Sequence, residues 1–174
     1  MDVSDVLVKD KIKLFVQLAF EKSDDYTAYR DIVKTVGINS IFRCSLIIDS
    51  TDEGFQYSHE EKTSFLFISL FYEDAELIRF LLENGADPNG AIDDDSPPIW
   101  DLQYAYKNPE YGLAAAGLLL KNGADPNYKW EGTGFYTYVD TKPADLLDLP
   151  EEGDYLLKLC DLLSEFGGKY DWEE

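Results

Sequence analysis

Leu81–Asn89 reads LLENGADPN and Leu119–Asn127 reads LLKNGADPN, the same phrase 38 positions apart, differing only at Glu83 and Lys121. A near-verbatim repeat at a spacing between ~20 and ~50 residues is the mark of stacked repeats, each burying its apolar face against its neighbours. The phrase also dictates its own local shape. Two leucines close an apolar helix, and the glycine that follows suits the left-handed backbone that ends helices. Asn84 and Asn122 lie in the last turn, where polar side chains reach carbonyls that have no partner within the helix. Asp-Pro-Asn then forces an extended or turn conformation, because proline disfavours helical backbone in the residue before it. Each copy says helix, stop and turn.

Outward from these copies the pattern continues in weaker form. The phrase resembles the end of the second helix of an ankyrin repeat, whose usual wording is close to LLxxGADxN. Thr63-Ser64-Phe65-Leu66-Phe67-Ile68 stands where that family's T-P-L-H-x-A opens the first helix, with the Thr retained and an apolar residue at the Leu position. Pro98-Ile99-Trp100-Asp101-Leu102 stands there before the second copy, with Trp100 at the family's usual His position, a packing site. Lys142-Pro143-Ala144-Asp145-Leu146 resembles the K-T-P-x-D-L variant. Leu159 to Gly168 resembles a degenerate ending, and Asp31 to Asn39 a weaker copy still. The landmark glycines Gly37, Gly85, Gly123 and Gly167 are separated by 48, 38 and 44 residues, against ~33 for regular ankyrin arrays. The extra residues therefore fall in the connections.

The resemblance implies a fold class of all-α: an ankyrin-like solenoid of about four helix-turn-helix repeats with β-hairpin fingers, one of them extended. The repeats span roughly 1–39, 40–89, 90–127 and 128–174 of a single domain covering 1–174. It also implies a non-catalytic protein–protein binding module that uses finger tips and the adjoining inner-helix surface.

Composition narrows the class further. At 174 residues and 45% hydrophobic, the chain is long enough to bury a core as one domain. Its longest apolar stretch, Phe65 to Tyr72, is far short of the ~20 residues of a membrane span, and Met1 to Phe20 has no apolar signal-peptide region. Cys44 and Cys160 have no zinc-type spacing, and Cys160, set among leucines, reads as a buried reduced thiol. A cytoplasmic chain with no membrane contact is expected, monomeric when unbound. Fifteen basic against thirty-five acidic residues leave a net charge of −20. Such a field repels nucleic acid and draws basic protein partners. It also serves solubility, and charge alone does not separate the two roles.

Along the chain, Val3 to Phe20 has apolar residues at helical spacing, and Ser23 is placed to cap a second helix through Thr35. Ser40 to Ile48 is compatible with helix or strand, and Asp49 to Lys62 with a loop or hairpin finger. Helix pairs are expected at Thr63–Phe71 with Ala75–Glu83, Ile99–Tyr106 with Gly112–Lys121, and Ala144–Leu149 with Tyr155–Phe166. Tyr128 to Asp140 (YKWEGTGFYTYVD), rich in aromatics and Thr around Gly132-Thr133-Gly134, reads as the extended hairpin finger. Trp172 is placed to cap the last repeat.

Catalytic chemistry finds little support. His59, the single histidine, lies in a polar stretch. No Ser or Cys sits in a nucleophile elbow, and no phosphate loop is present. Asp93-Asp94-Asp95, followed by Ser-Pro-Pro, lacks the alternating frame of a calcium loop and reads as an acidic finger tip. No enzyme activity, cofactor or metal is expected. Partner contacts are expected from Asp93, Asp94 and Asp95, from Tyr104 on an inner helix, and from Trp130, Glu131, Phe135, Tyr136 and Tyr138 in the extended finger. Tyr and Trp are favoured there because they bury large area behind a polar handle. The concrete form of this reading is an inhibitor or immunity protein that covers the positive groove of a toxin. Its rivals are an adaptor whose charge serves solubility and a carboxylate-based enzyme.

Overall fold

The computed structural model describes residues 3–50, 55–92, 97–130, 132–141 and 150–171, in two compact units, Met1–Ala86 and Asp87–Glu174. In the first unit, α1 (Val3–Phe20) buries Ile12, Phe15, Val16 and Ala19, one face at helical spacing. α2 (Tyr26–Val36) starts where the Asp25 carboxylate accepts the Ala28 N–H at 3.0 Å. Ser23, expected as the cap, instead accepts the Asp25 N–H at 3.2 Å. A strand pair, β1 (Phe42–Ser50) and β2 (Phe55–Thr63), follows as an antiparallel ladder from Phe42 opposite Thr63 to Ser50 opposite Phe55. α3 (Phe65–Phe71) and α4 (Ala75–Glu83) are each capped by a side chain, Ser64 to the Phe67 N–H and Asp74 to the Leu77 N–H.

The core of this unit joins the helix pairs ring to ring. Phe15 of α1 packs against Phe65 of α3 with centroids 4.4 Å apart, and against Tyr29 of α2 at 5.0 Å. Tyr29 in turn meets Phe80 of α4 at 6.2 Å. First helix therefore faces first helix, and second faces second. Each such buried side chain contributes about 1.5–3 kcal/mol of transfer free energy. The hairpin is tied down by Phe42, 4.9 Å from Phe65, and by the Ile47 N–H, which donates to the Tyr72 hydroxyl at 2.8 Å.

The second unit repeats the plan. α5 (Pro98–Asp101) runs into a 3-10 segment (Leu102–Lys107), and α6 (Pro109–Lys121) starts at the Asn108-Pro109 break. A minimal hairpin, β3 (Lys129–Trp130) and β4 (Thr133–Gly134), leads into α7 (Phe135–Thr141) and then α8 (Pro150–Glu165). Tyr155 of α8 is buried, and its hydroxyl donates to the Leu102 carbonyl at 2.5 Å, satisfying a backbone acceptor at the change from α to 3-10 geometry.

The extended finger is corrected. The stretch 128–140 is not an extended hairpin: its ladder is two residue pairs long, and Phe135, Tyr136 and Tyr138 lie on helix α7. The long ladder is β1–β2, with β1 mostly in Ser40–Ile48, open between helix and strand, and β2 mostly in Asp49–Lys62, read as a loop or hairpin finger. Of the helix pair expected at 144–149 and 155–166, the second member is found as α8, and 144–149 lies outside the described residues.

The repeated phrase behaves as a staple. In α4 the Ala86 N–H returns to Leu81 O at 3.0 Å and the Gly85 N–H to Leu82 O at 3.1 Å. Ala124 with Leu119, and Gly123 with Leu120, repeat these bonds at the same distances. Gly85 and Gly123 hold φ of 94° and 95°, a backbone that side-chain-bearing residues rarely adopt. The final Asn of the phrase then reaches onward. Asn89 donates to Gly123 O at 2.8 Å and accepts from the Asp125 N–H at 2.8 Å. Asn127 does the same to Gly167 O at 3.1 Å and the Lys169 N–H at 2.7 Å. In the first unit, Asn39 donates to Gly85 O at 3.2 Å. One side chain thus fixes the spacing from each turn to the next.

Candidate functional site

Which aromatic side chains remain available follows from where α5 and α7 bury their faces. Trp100 is buried, with its Nε1–H donating to Tyr128 O at 3.3 Å. Phe135 packs against it at 5.0 Å and Tyr138 at 5.1 Å. Phe135 and Tyr138 are three apart and so share a helical face. Phe135 is fully enclosed and belongs to the core, so its expected place at a partner surface is corrected. Tyr138 is half-buried, with Trp100 at its back.

Tyr104 is different. It is 69% exposed, standing on the 3-10 segment with Asp101 three residues before it. Asp101, the last residue of α5, is half-buried. Phe71, at the end of α3 in the first unit, is also exposed and packs edge-on to Tyr72 at 5.0 Å. Sequence reasoning missed Phe71 because it sits inside an apolar run that reads as core. The only available signal was its position as the last residue of the helix.

The other side of α7 carries a polar cluster. Tyr136 is half-buried and meets Tyr170 edge-on at 5.2 Å. The Asp140 carboxylate accepts the Tyr170 O–H at 2.8 Å and the Cys160 S–H at 3.4 Å. The Thr137 hydroxyl accepts the Asp171 N–H at 3.0 Å, and Asp171 in turn accepts the Gly134 N–H at 3.1 Å. That hydrogen bond to Asp140, with burial second, pushes the Tyr170 phenol up to about 12. Burial, and then Asp140, push the Cys160 thiol up to about 11. Both groups hold their protons, so the cluster is a structural clasp with no poised nucleophile.

Of the remaining expected contacts, Trp130 belongs to β3 opposite Thr133. Asp93, Asp94, Asp95 and Glu131 lie outside the described residues. Among the described residues, no group of His, Cys, Asp and Glu is arranged to hold a metal ion. None of the described helices is long and apolar enough to cross a membrane.

Paired helices, glycine-closed second helices and Asn side chains that bridge turns are ankyrin-like features. The chain is similar to the ankyrin repeat-containing protein YGL242C of Saccharomyces cerevisiae, with 35% identity over 77 residues. The match covers 44% of this chain and 36% of that protein, so the chain spans little more than a third of its relative's length. No family model and no solved structure matches the chain.

Proposed function

We propose that the chain is a non-catalytic protein-binding module whose second unit engages a basic partner surface. The observation that carries this reading is Tyr104, an aromatic side chain 69% exposed in the second unit. A rigid aromatic with a polar tip is the residue type that anchors interfaces. Charge supports it: nineteen of the thirty-five acidic residues follow Ala86, but only six of the fifteen basic ones. Tyr138, half-buried and braced by Trp100, is the second aromatic of this reading. In its most specific form the partner is a toxin with a positive groove and the chain its inhibitor or immunity protein.

The test uses the chain as bait at low ionic strength, followed by affinity measurements on the purified partner. Tyr104→Ala with Tyr138→Ala is expected to weaken binding at least tenfold, about 1.4 kcal/mol, and the native association rate to fall steeply with salt. Equal affinity of the double variant overturns the surface. Salt-independent association instead favours an adaptor whose acidity serves solubility. Full activity of the captured partner at saturating chain concentration overturns the inhibitor form.

A further inference from the structure

We infer that the cleft between α1 and β1 in the first unit binds a small dianion with an apolar body, a phosphate monoester being the class it fits. Cations are scarce in this chain, fifteen against thirty-five carboxylates, yet Lys9, Lys13 and Arg43 line one cleft of about 520 Å³. That volume falls within the ~300–1,000 Å³ range of small-molecule sites.

None of the three forms an ion pair among the described residues. Lys11, between the two lysines but turned toward α2, does pair, with Asp31. The α1 lysines therefore find carboxylates where the fold offers them, and the cleft offers few. Among the described residues, Glu60 is the one carboxylate in its lining, against three cations.

The arrangement also costs stability. Lys9 and Lys13 are four apart on one helix face, where like charges repel. A bound dianion would relieve this.

Beneath the charges lie Ile12 and Val16, 5% and 3% exposed, with the half-buried Ile47 alongside. This apolar floor suits an aryl or short alkyl group, and the Gln17 amide and Ser45 hydroxyl line the same cleft as further donors.

Phenyl phosphate is the probe, titrated into the native chain and followed by amide chemical shifts. Saturable shifts at residues 9–17 and 43–47 are expected, with inorganic phosphate at least fivefold weaker and phenol without effect. Arg43→Gln and the pair Lys9→Gln, Lys13→Gln are each expected to lose at least tenfold in affinity. Glutamine keeps helix propensity close to that of lysine, so the fold persists, and the melting temperature of the lysine pair is expected to stay equal or rise. Cys44, which also lines the cleft, supplies a second readout. Its alkylation by iodoacetamide should slow as phenyl phosphate is added, whereas the buried Cys160 reacts slowly throughout. Absence of saturation at millimolar phenyl phosphate, or undiminished binding in the lysine pair, overturns the proposal. So does phenol or inorganic phosphate equalling phenyl phosphate.

Discussion

Gly112 and Gly117 stand five residues apart in α6 and read alike in the sequence. Their surroundings separate them. A Cβ on Gly112 would lie 2.5 Å from the Tyr155 hydroxyl and 2.7 Å from the Ala105 Cβ, whereas one on Gly117 meets nothing within 4 Å. Gly112→Ala is therefore expected to destabilise by about 1–3 kcal/mol through overpacking. Gly117→Ala should stabilise by roughly 0.5–1 kcal/mol, since glycine is costly in a helix interior. Urea unfolding of both variants checks this, and equal effects would refute the packing account. Tyr29 offers a second residue-level contrast. Its ring is fully buried, but its hydroxyl has no hydrogen-bond partner among the described residues. Tyr29→Phe removes a desolvated donor and is expected to raise stability by about 1 kcal/mol. A loss of stability on calorimetry would mean that the hydroxyl finds a partner. The run Ala114-Ala115-Ala116-Gly117 shows in the sequence alone that α6 has small residues to set against neighbouring helices. Which glycine it needs is not shown there, because Tyr155 approaches from a helix more than thirty residues downstream.

At the scale of elements, the phrase LLxNGADPN was readable because its chemistry is local. A glycine at positive φ, an Asp-Pro turn and an Asn that reaches its own helix carbonyl depend on neighbours in sequence. Asn84 does donate to Phe80 O at 2.7 Å, and Asn122 to Leu118 O at 2.8 Å. The terminal Asn of the phrase is the exception, since its partners lie in the next repeat. Asn127→Ala breaks two such bonds and is expected to cost about 1–3 kcal/mol; Asn127→Asp should lose less, because the acceptor for the Lys169 N–H survives. If Asn127→Ala unfolds at the native urea midpoint, the staple carries no weight. The segment 128–140 marks where local reading failed. Its Tyr, Thr, Val and Trp residues favour strand, but strand propensity is weak beside tertiary burial. Helix α7 wins because one side closes on Trp100 while another meets Tyr170 and Asp171. The same override moved Phe135 from candidate contact to core.

At the scale of the molecule, buried proton-holding groups set an alkaline limit. Cys160 is raised from 9.0 to about 11, mainly by burial. Tyr29 and Tyr155 are raised above 10.0 by burial, and Tyr170 to about 12 by its hydrogen bond to Asp140. The folded chain keeps protons that the unfolded chain gives up above pH 9 to 10. The unfolded state then binds fewer protons, so stability falls as pH rises. Stability is expected to hold below pH 9, to decline through pH 11 from Cys160, and to keep falling from pH 10 upward through the tyrosines. Chemical denaturation at stepped pH reads this directly, and a flat profile from pH 8 to 11 would contradict the burial of these groups. The net charge of −20 is a property of composition, visible without any fold. Its unevenness has a consequence only in three dimensions, where the acidic second unit exposes Tyr104 and the first unit gathers Lys9, Lys13 and Arg43 at one cleft. What the sequence determined by itself are the helix ends, the turns and the repeat period, because caps and prolines act within a few residues. Only the tertiary structure decided which aromatics are buried, which strands pair at length, and which cations converge, because each depends on contacts between segments far apart in the chain.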